Sequence, residues 1–232
     1  MTTNILLQVG DPTLFTYFSN SNFAGKIIVL ALIVFSLIAW TIMIGKYLDL
    51  KRVHALNCDF EGKLNSAGSI LSISKSSGYI GSFESIFRQA AKTFLGSTDK
   101  TTSVFIIKKT ENEIDRAIAQ EVISYESKLI FLGSIVTGAP FLGLLGTVWG
   151  VMDSFGAMAL QSSATLQNIA PGVSGALLTT VAALLVAIPS VFGYNFLLTK
   201  VKMMVTELEN FASALADKME AELEESKLEL NA

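Results

Sequence analysis

Glycine and hydroxyl residues recur at helical spacing in two stretches of the chain that contain no charged side chain. Gly143, Thr147 and Gly150 are separated by four and three residues, and Thr180 follows Ala176 by the same step of four. Residues at such intervals share one face of a helix. In a membrane, small residues let helices approach closely, and hydroxyl groups either bond across helices or line water. Composition alone leaves both a water-lined path and tight helix packing open.

The candidate residues fall into three sets. The hydroxyl groups that would line a proton path are those of Thr147, Thr180, Thr179 and Ser174. The residues expected to pack helices are Gly143, Gly146, Gly150, Gly175, Ala176 and Ala183. The prolines expected to kink or begin helices, at positions where protein or water satisfies the freed backbone groups, are Pro140, Pro171 and Pro189.

No carboxylate lies within these stretches, and Asp153 follows the first of them directly. A proton path normally needs a titratable group at membrane depth. A second chain is therefore expected to supply it. His54 and Cys58 are the only histidine and cysteine, and both are expected to be ordinary residues rather than a proton relay or a reactive thiol. Without a nucleophile–base pair or a metal cluster, the sequence predicts no enzyme, no cofactor and no metal.

Three apolar segments are long enough to cross a bilayer. The charge-free stretch from Ile27 to Ile44 has 18 residues, and Leu129 to Met152 has 24. A charge-free block also runs from Ser154 to Thr199, and its polar residues before Pro171-Gly172 predict a loop and a new helix start. An α-helix of 18 residues spans roughly 27 Å, close to the hydrocarbon core of about 30 Å. The fold class predicted is an all-α membrane protein with three transmembrane helices.

The distribution of lysine and arginine predicts the orientation. Twelve lie between Lys46 and Lys128 and four follow the third span, whereas Lys26 alone lies on the other side. The positive-inside rule then puts the N-terminus outside and the C-terminus inside. The expected segments are an outer segment 1–22, spans 23–45, 129–153 and 171–198, a cytoplasmic loop 46–128, an outer loop 154–170 and a cytoplasmic tail 199–232.

The two cytoplasmic segments are predicted to be helical. From Val104 to Leu129, apolar residues recur every three or four positions, which predicts one long helix continuing into the second span. Val201, Met204, Leu208, Phe211 and Leu215 form a similar stripe after the third span. We expect the second and third spans to extend into a cytoplasmic helical bundle. The basic residues are scattered without a stripe interleaved with aromatics, so nucleic-acid binding has no support.

Two motifs resemble a known family. The stretch 139–152, APFLGLLGTVWGVM, resembles the second-span motif of the TolQ/ExbB family of proton channels. The stretch 170–180, APGVSGALLTT, with Ala187-Ile-Pro189 and Tyr194-Asn195 beyond it, resembles the third span. No motif-level similarity is found in residues 1–128. The resemblance implies a motor subunit in a bacterial inner membrane that uses the proton motive force.

The resemblance also implies partners and residue roles. Family members form a ring, a homopentamer, around a TolR/ExbD-type single-span protein that supplies an aspartate. Energy then reaches the outer membrane through a TolA- or TonB-type protein. The pore threonines of the family correspond to Thr147 and Thr180. Many members have a glutamate where this chain has Gly175, so that residue's role cannot be transferred.

Several alternatives remain open at this point. The short N-terminal segment favours a TolQ-like over an ExbB-like chain by a thin margin, and the sequence does not choose between protons and sodium ions. A non-conducting membrane scaffold, whose small faces only pack helices, is the competing hypothesis from a different class. Either the partner's aspartate alone suffices for ion transfer, or Gly175 marks a branch with a changed ion path.

Overall fold

The computed structural model describes residues 17–19, 21–66, 81–96, 103–159 and 166–230. These residues form five α-helices: α1 (Phe23–Ser66), α2 (Ser82–Leu95), α3 (Ser103–Glu126), α4 (Leu129–Ala159) and α5 (Leu166–Leu230). Three apolar segments, in α1, in α3–α4 and in α5, are long and apolar enough to cross a membrane. The predicted all-α fold with three spans is confirmed.

The chain divides into two compact units. The first, the membrane unit, comprises Met1–Ile44 and Leu129–Asn195, and the second, the polar unit, comprises Gly45–Lys128 and Phe196–Ala232. Helices α1 and α5 contribute to both units, so two of the three membrane-capable helices continue without interruption into the polar sequence.

The membrane unit is built on the small-residue faces of α4 and α5. The buried residues of α4 recur every three or four positions: Leu129, Leu132, Ile135, Ala139, Gly143, Gly146 and Gly150. By contrast, Ile27, Leu30, Ile33 and Leu37 of α1 leave at least half of their surface exposed. Apolar side chains are stable there when lipid covers them, which agrees with an outer, lipid-facing first span.

Asn22 begins α1 with a side-chain cap. Its Oδ1 accepts a hydrogen bond from the backbone N–H of Gly25 at 2.8 Å. The side chain of an N-cap residue satisfies one of the amides that the first helical turn leaves without a partner. Asn22 Nδ2 also donates to Asp153 Oδ2 at 3.3 Å, so the beginning of α1 is joined to the later part of α4.

An aromatic cluster forms the core of the polar unit. Phe83 of α2 stacks on Phe211 of α5 with ring centroids 4.1 Å apart, and Phe60 of α1 contacts Phe211 at 6.2 Å. The tail stripe Val201, Met204, Leu208, Phe211 and Leu215 is buried throughout, as predicted. Lys218 Nζ donates to the Leu64 carbonyl at 3.1 Å, where α1 ends and its carbonyls lack partners.

Two helix boundaries differ from the sequence prediction. Helix α5 begins at Leu166 instead of Pro171, and α4 continues to Ala159 instead of ending near 153, so the predicted loop 154–170 is helical at both ends. Pro171 therefore lies in the second turn of α5, where it has no N–H to donate to the carbonyl four residues earlier. Residues 161–165, which carried much of the loop prediction, lie outside the described residues.

The predicted helix from Val104 into the second span is interrupted once, because Ser127-Lys128 form a turn between α3 and α4. Lys128 has φ 67°, in the left-handed region that ends helices. The Ser124 carbonyl, near the end of α3, has two side-chain donors: Ser127 Oγ at 2.6 Å and Lys46 Nζ at 3.0 Å. Neither glycine nor proline, the residues that usually indicate a helix end in a sequence, occurs at this break.

Candidate functional site

The glycines of α4 lie where the backbone of α5 comes closest. A Cβ on Gly143 would be 2.5 Å from Ala183 Cβ, and one on Gly150 would be 2.5 Å from Ala176 Cβ. A Cβ on Gly146 would overlap the side chain of Thr179. Carbon atoms do not approach this closely, so none of the three positions accepts a side chain without movement of the helices.

Two threonines of α5 donate to one carbonyl of α4. Thr179 Oγ1 and Thr180 Oγ1 each lie 3.1 Å from the backbone oxygen of Gly143. Thr179 Oγ1 also lies 2.6 Å from the Ala176 carbonyl of its own helix, so its single proton is shared between the two carbonyl oxygens. A hydrogen bond between helices at membrane depth has no competing water and fixes the register of the two helices.

The threonines differ in exposure. Thr179 is fully buried between α4 and α5. Thr180, Thr147 and Ser174 are partly exposed, and Thr147 Oγ1 donates to the Leu144 carbonyl of its own helix at 2.8 Å. From the helical spacing, Thr147 and Thr180 were expected on the same faces as the packing residues. In the structure, Gly146 and Thr179 occupy the centre of the α4–α5 contact, and the two expected threonines lie at its margin.

The described part of α4 and α5 presents no acid or base along this contact. No Asp, Glu, Lys or Arg occurs between Ser154 and Thr199, and Asp153 is exposed. No group of three or more His, Cys, Asp or Glu side chains that would hold a metal ion is present in the described residues. Backbone carbonyls and hydroxyl groups are the polar atoms available at this depth.

The prolines lie inside continuous helices. Pro140 is within α4, and Pro171 and Pro189 are within α5. Each proline removes the hydrogen bond to the carbonyl four residues earlier. Beside Pro189, the buried Ser190 donates its hydroxyl to the Val186 carbonyl at 2.7 Å, one residue after the carbonyl that Pro189 frees. Hydroxyl groups are among the side chains that satisfy backbone oxygens inside membrane helices.

Gly175 is in contact with the N-terminal segment. Its Cβ would lie 2.9 Å from Ser21 Cα and 3.2 Å from Ser21 Cβ. Both residues are buried, and no hydrogen-bond partner of the Ser21 hydroxyl is found among the described residues. Sequence reasoning missed this contact, because nothing in the pattern of residues 17–22 indicates a partner in α5.

Comparison with known proteins identifies the family of this chain. Residues 83–210 match the model of the MotA/TolQ/ExbB proton channel family. The Tol-Pal system protein TolQ of Haemophilus influenzae is 32% identical over 84% of this chain and 88% of its own length. TolQ of Pseudomonas aeruginosa is 27% identical over 88% of this chain and 91% of its own length. The biopolymer transport protein ExbB of Pseudomonas putida is 30% identical over 77% of this chain and 54% of its own length.

The chain belongs to the MotA/TolQ/ExbB proton channel family. It is an all-α membrane protein with three membrane-capable segments, and the predicted resemblance to TolQ and ExbB is confirmed. The share of TolQ that it covers is larger than the share of ExbB, in agreement with the preference for a TolQ-like chain.

Proposed function

We propose that this chain is the channel subunit of an inner-membrane motor that uses the proton motive force. Its partner is a TolR/ExbD-type single-span protein that carries an aspartate, and a TolA- or TonB-type protein passes the energy to the outer membrane. Several copies, five in our proposal, surround the partner's span. The N-terminus is periplasmic, and the C-terminus and the polar unit are cytoplasmic.

The observation that carries this proposal is the position of Thr147 and Thr180. Both residues are partly exposed at the margin of a charge-free, glycine-lined contact, where the described residues offer no titratable group. A polar atom left open at membrane depth is stable only against water or another polar group. A carboxyl group from a neighbouring chain meets that requirement.

The chemistry of a threonine hydroxyl suits a carboxyl group in either protonation state. While Thr180 donates to the Gly143 carbonyl, its oxygen still has lone pairs that accept a hydrogen bond from a neutral carboxylic acid. When that acid ionises, the hydroxyl rotates and donates to the carboxylate instead. Thr147 has the same choice, because its present acceptor is the Leu144 carbonyl of its own helix.

Because this chain has Gly175 where many family members have a glutamate, the partner's aspartate is the only titratable group of the path in this proposal. The family glutamate has no counterpart here, and Ser21 occupies the space next to the glycine. The protein therefore contributes hydroxyl groups and carbonyls to the path, and the proton carrier comes from the partner.

A non-conducting scaffold is the second candidate function. The observation that favours it is that Thr147, Thr179 and Thr180 all donate to backbone carbonyls already, as packing residues do. Energy coupling of Thr147→Val and Thr180→Val variants decides between the two. A motor subunit loses coupling while the complex still assembles, whereas a scaffold keeps normal function in both variants.

A further inference from the structure

A second polar feature of the molecule lies in the polar unit, where α1 and α5 run side by side. A cavity of about 250 Å³ opens between them. Its lining combines aromatic and thioether side chains with two lysines and a hydrogen-bonded histidine and glutamate: Tyr47, Lys51, His54, Lys200, Met203 and Glu207. The proton path proposed above uses none of these residues.

The cavity begins where both helices leave their apolar segments. On α1, Tyr47 comes three residues after Ile44, the end of the charge-free stretch, which is roughly 4.5 Å along a helix. On α5, Lys200 is the first charged residue after the block that ends at Thr199. Each helix therefore brings its part of the cavity to the level at which a bilayer changes from acyl chains to head groups.

The two lysines are the uncompensated charges of the cavity. Within the described part of the chain, neither Lys51 nor Lys200 pairs with a carboxylate, whereas the Glu207 carboxylate is engaged by His54 Nδ1 at 3.2 Å. Lys46, one turn earlier on α1, is buried and donates to the Ser124 carbonyl. Lys51 and Lys200 thus reach one cavity from two helices.

The apolar side of the cavity is open. Tyr47 is 45% exposed and Met203 50% exposed. Apolar surface of this kind next to a membrane segment is stable against an acyl chain and costly in water. Cationic groups and open apolar surface therefore lie within the same recess.

We propose that this cavity binds one anionic phospholipid. The head-group phosphate lies between the ammonium groups of Lys51 and Lys200, and the first part of an acyl chain covers Tyr47 and Met203. Basic recesses between membrane helices hold anionic head groups by this combination of charge and apolar contact. The site shares no residue with the proposed proton path, so each proposal can be tested without the other.

The lipid bound to the full-length protein tests this site. The protein is placed in nanodiscs of phosphatidylcholine and phosphatidylglycerol, and native mass spectrometry measures the phosphatidylglycerol that remains bound. We expect the wild type to retain phosphatidylglycerol in preference to phosphatidylcholine. Lys51→Gln and Lys200→Gln should each weaken retention about five-fold, the effect of removing one surface lysine near an anionic lipid.

Lys202→Gln is the matched control, because Lys202 is an exposed lysine of α5 only two residues from Lys200 and does not line the cavity. It should retain phosphatidylglycerol as the wild type does. Equal loss in K200Q and K202Q, or no loss in K51Q and K200Q, would overturn the proposal. Displacement of the lipid by inorganic phosphate in the wild type would also overturn it, because the site would then bind phosphate rather than a lipid.

Discussion

The hydroxyl of Thr179 and the backbone carbonyl of Gly143 are joined by a 3.1 Å hydrogen bond between two membrane helices. This contact exists because Gly143 has no side chain, so α5 approaches until a Cβ on that glycine would be 2.5 Å from Ala183. The same carbonyl also accepts from Thr180, whose other side is partly exposed. One glycine therefore fixes both the packing of the helices and the position of a candidate pore hydroxyl.

The first prediction concerns Gly143→Ala. The added methyl group overlaps Ala183, and the helices must separate, so the free energy of unfolding should fall by about 1–3 kcal/mol, as for other overpacked cores. Gly138→Ala is the control on the same helix, because its Cβ meets nothing within 4 Å. Thermal unfolding in detergent measures both. A Gly143→Ala variant as stable as Gly138→Ala would contradict the close approach.

The second prediction separates the threonines. Thr147→Val and Thr180→Val should abolish energy coupling, while Thr179→Val should chiefly lower stability, by about 1 kcal/mol, through the lost hydrogen bond. Growth under detergent stress or nutrient limitation in cells lacking the native gene measures coupling, and co-purification with the partner measures assembly. Thr206→Val, in the exposed part of α5, is the control. If Thr179→Val kept full stability but abolished coupling, Thr179 would belong to the proton path and not to the helix packing.

The third prediction concerns Gly175. Its Cβ would be 2.9 Å from the Ser21 backbone, so Gly175→Ala should loosen the start of α1, and Gly175→Glu should do so more strongly. Hydrogen exchange of the amides from Ser21 to Lys26 should become faster in both variants. Gly156→Ala, whose Cβ meets nothing within 4 Å, should leave exchange unchanged. Unaltered exchange in Gly175→Glu would show that the glutamate fits without displacing Ser21.

The fourth prediction concerns alkaline pH. Burial raises the pKa of the Tyr125 hydroxyl in the polar unit above its usual value near 10. The unfolded chain then loses this proton at a lower pH than the folded chain. The stabilising contribution is therefore complete below pH 10 and is lost as the pH rises through the folded pKa. Tyr125→Phe has no proton to lose, so its stability should fall less above pH 10.

Unfolding midpoints measured on both proteins from neutral pH to above pH 10 test this sign. The burial of Lys46 lowers its pKa and adds a pH dependence of its own, but Lys46 is present in both proteins and cancels in the comparison. Parallel curves for wild type and Tyr125→Phe would mean that the Tyr125 hydroxyl titrates alike in both states.

The sequence predicted the three spans and the tail helix because long charge-free stretches and periodic apolar residues report burial directly. It did not predict the break at Ser127-Lys128, where a lysine with φ 67° ends the helix without glycine or proline. It also did not predict that Thr179, rather than Thr180, lies at the centre of the α4–α5 contact. Adjacent helical residues are only about 100° apart, so the orientation of the neighbouring helix decides between them.

The sequence indicated which residue types make up the candidate site, but only part of their arrangement in space. The glycines of α4 were correctly singled out as small residues, but their distances to Ala183 and Ala176 depend on how two helices pack. The contact of Gly175 with Ser21 joins residues more than 150 positions apart in the chain, and no local pattern encodes such a contact.

The central claim is that Thr147 and Thr180 face a carboxyl group of a single-span partner. A structure of the complex with that partner tests it most directly, through the distance from the partner's aspartate oxygens to Thr147 Oγ1 and Thr180 Oγ1. We expect hydrogen-bond distance, about 2.7 Å, or separation by one ordered water. Thr147 and Thr180 packed against apolar side chains, with the partner's aspartate elsewhere, would contradict it.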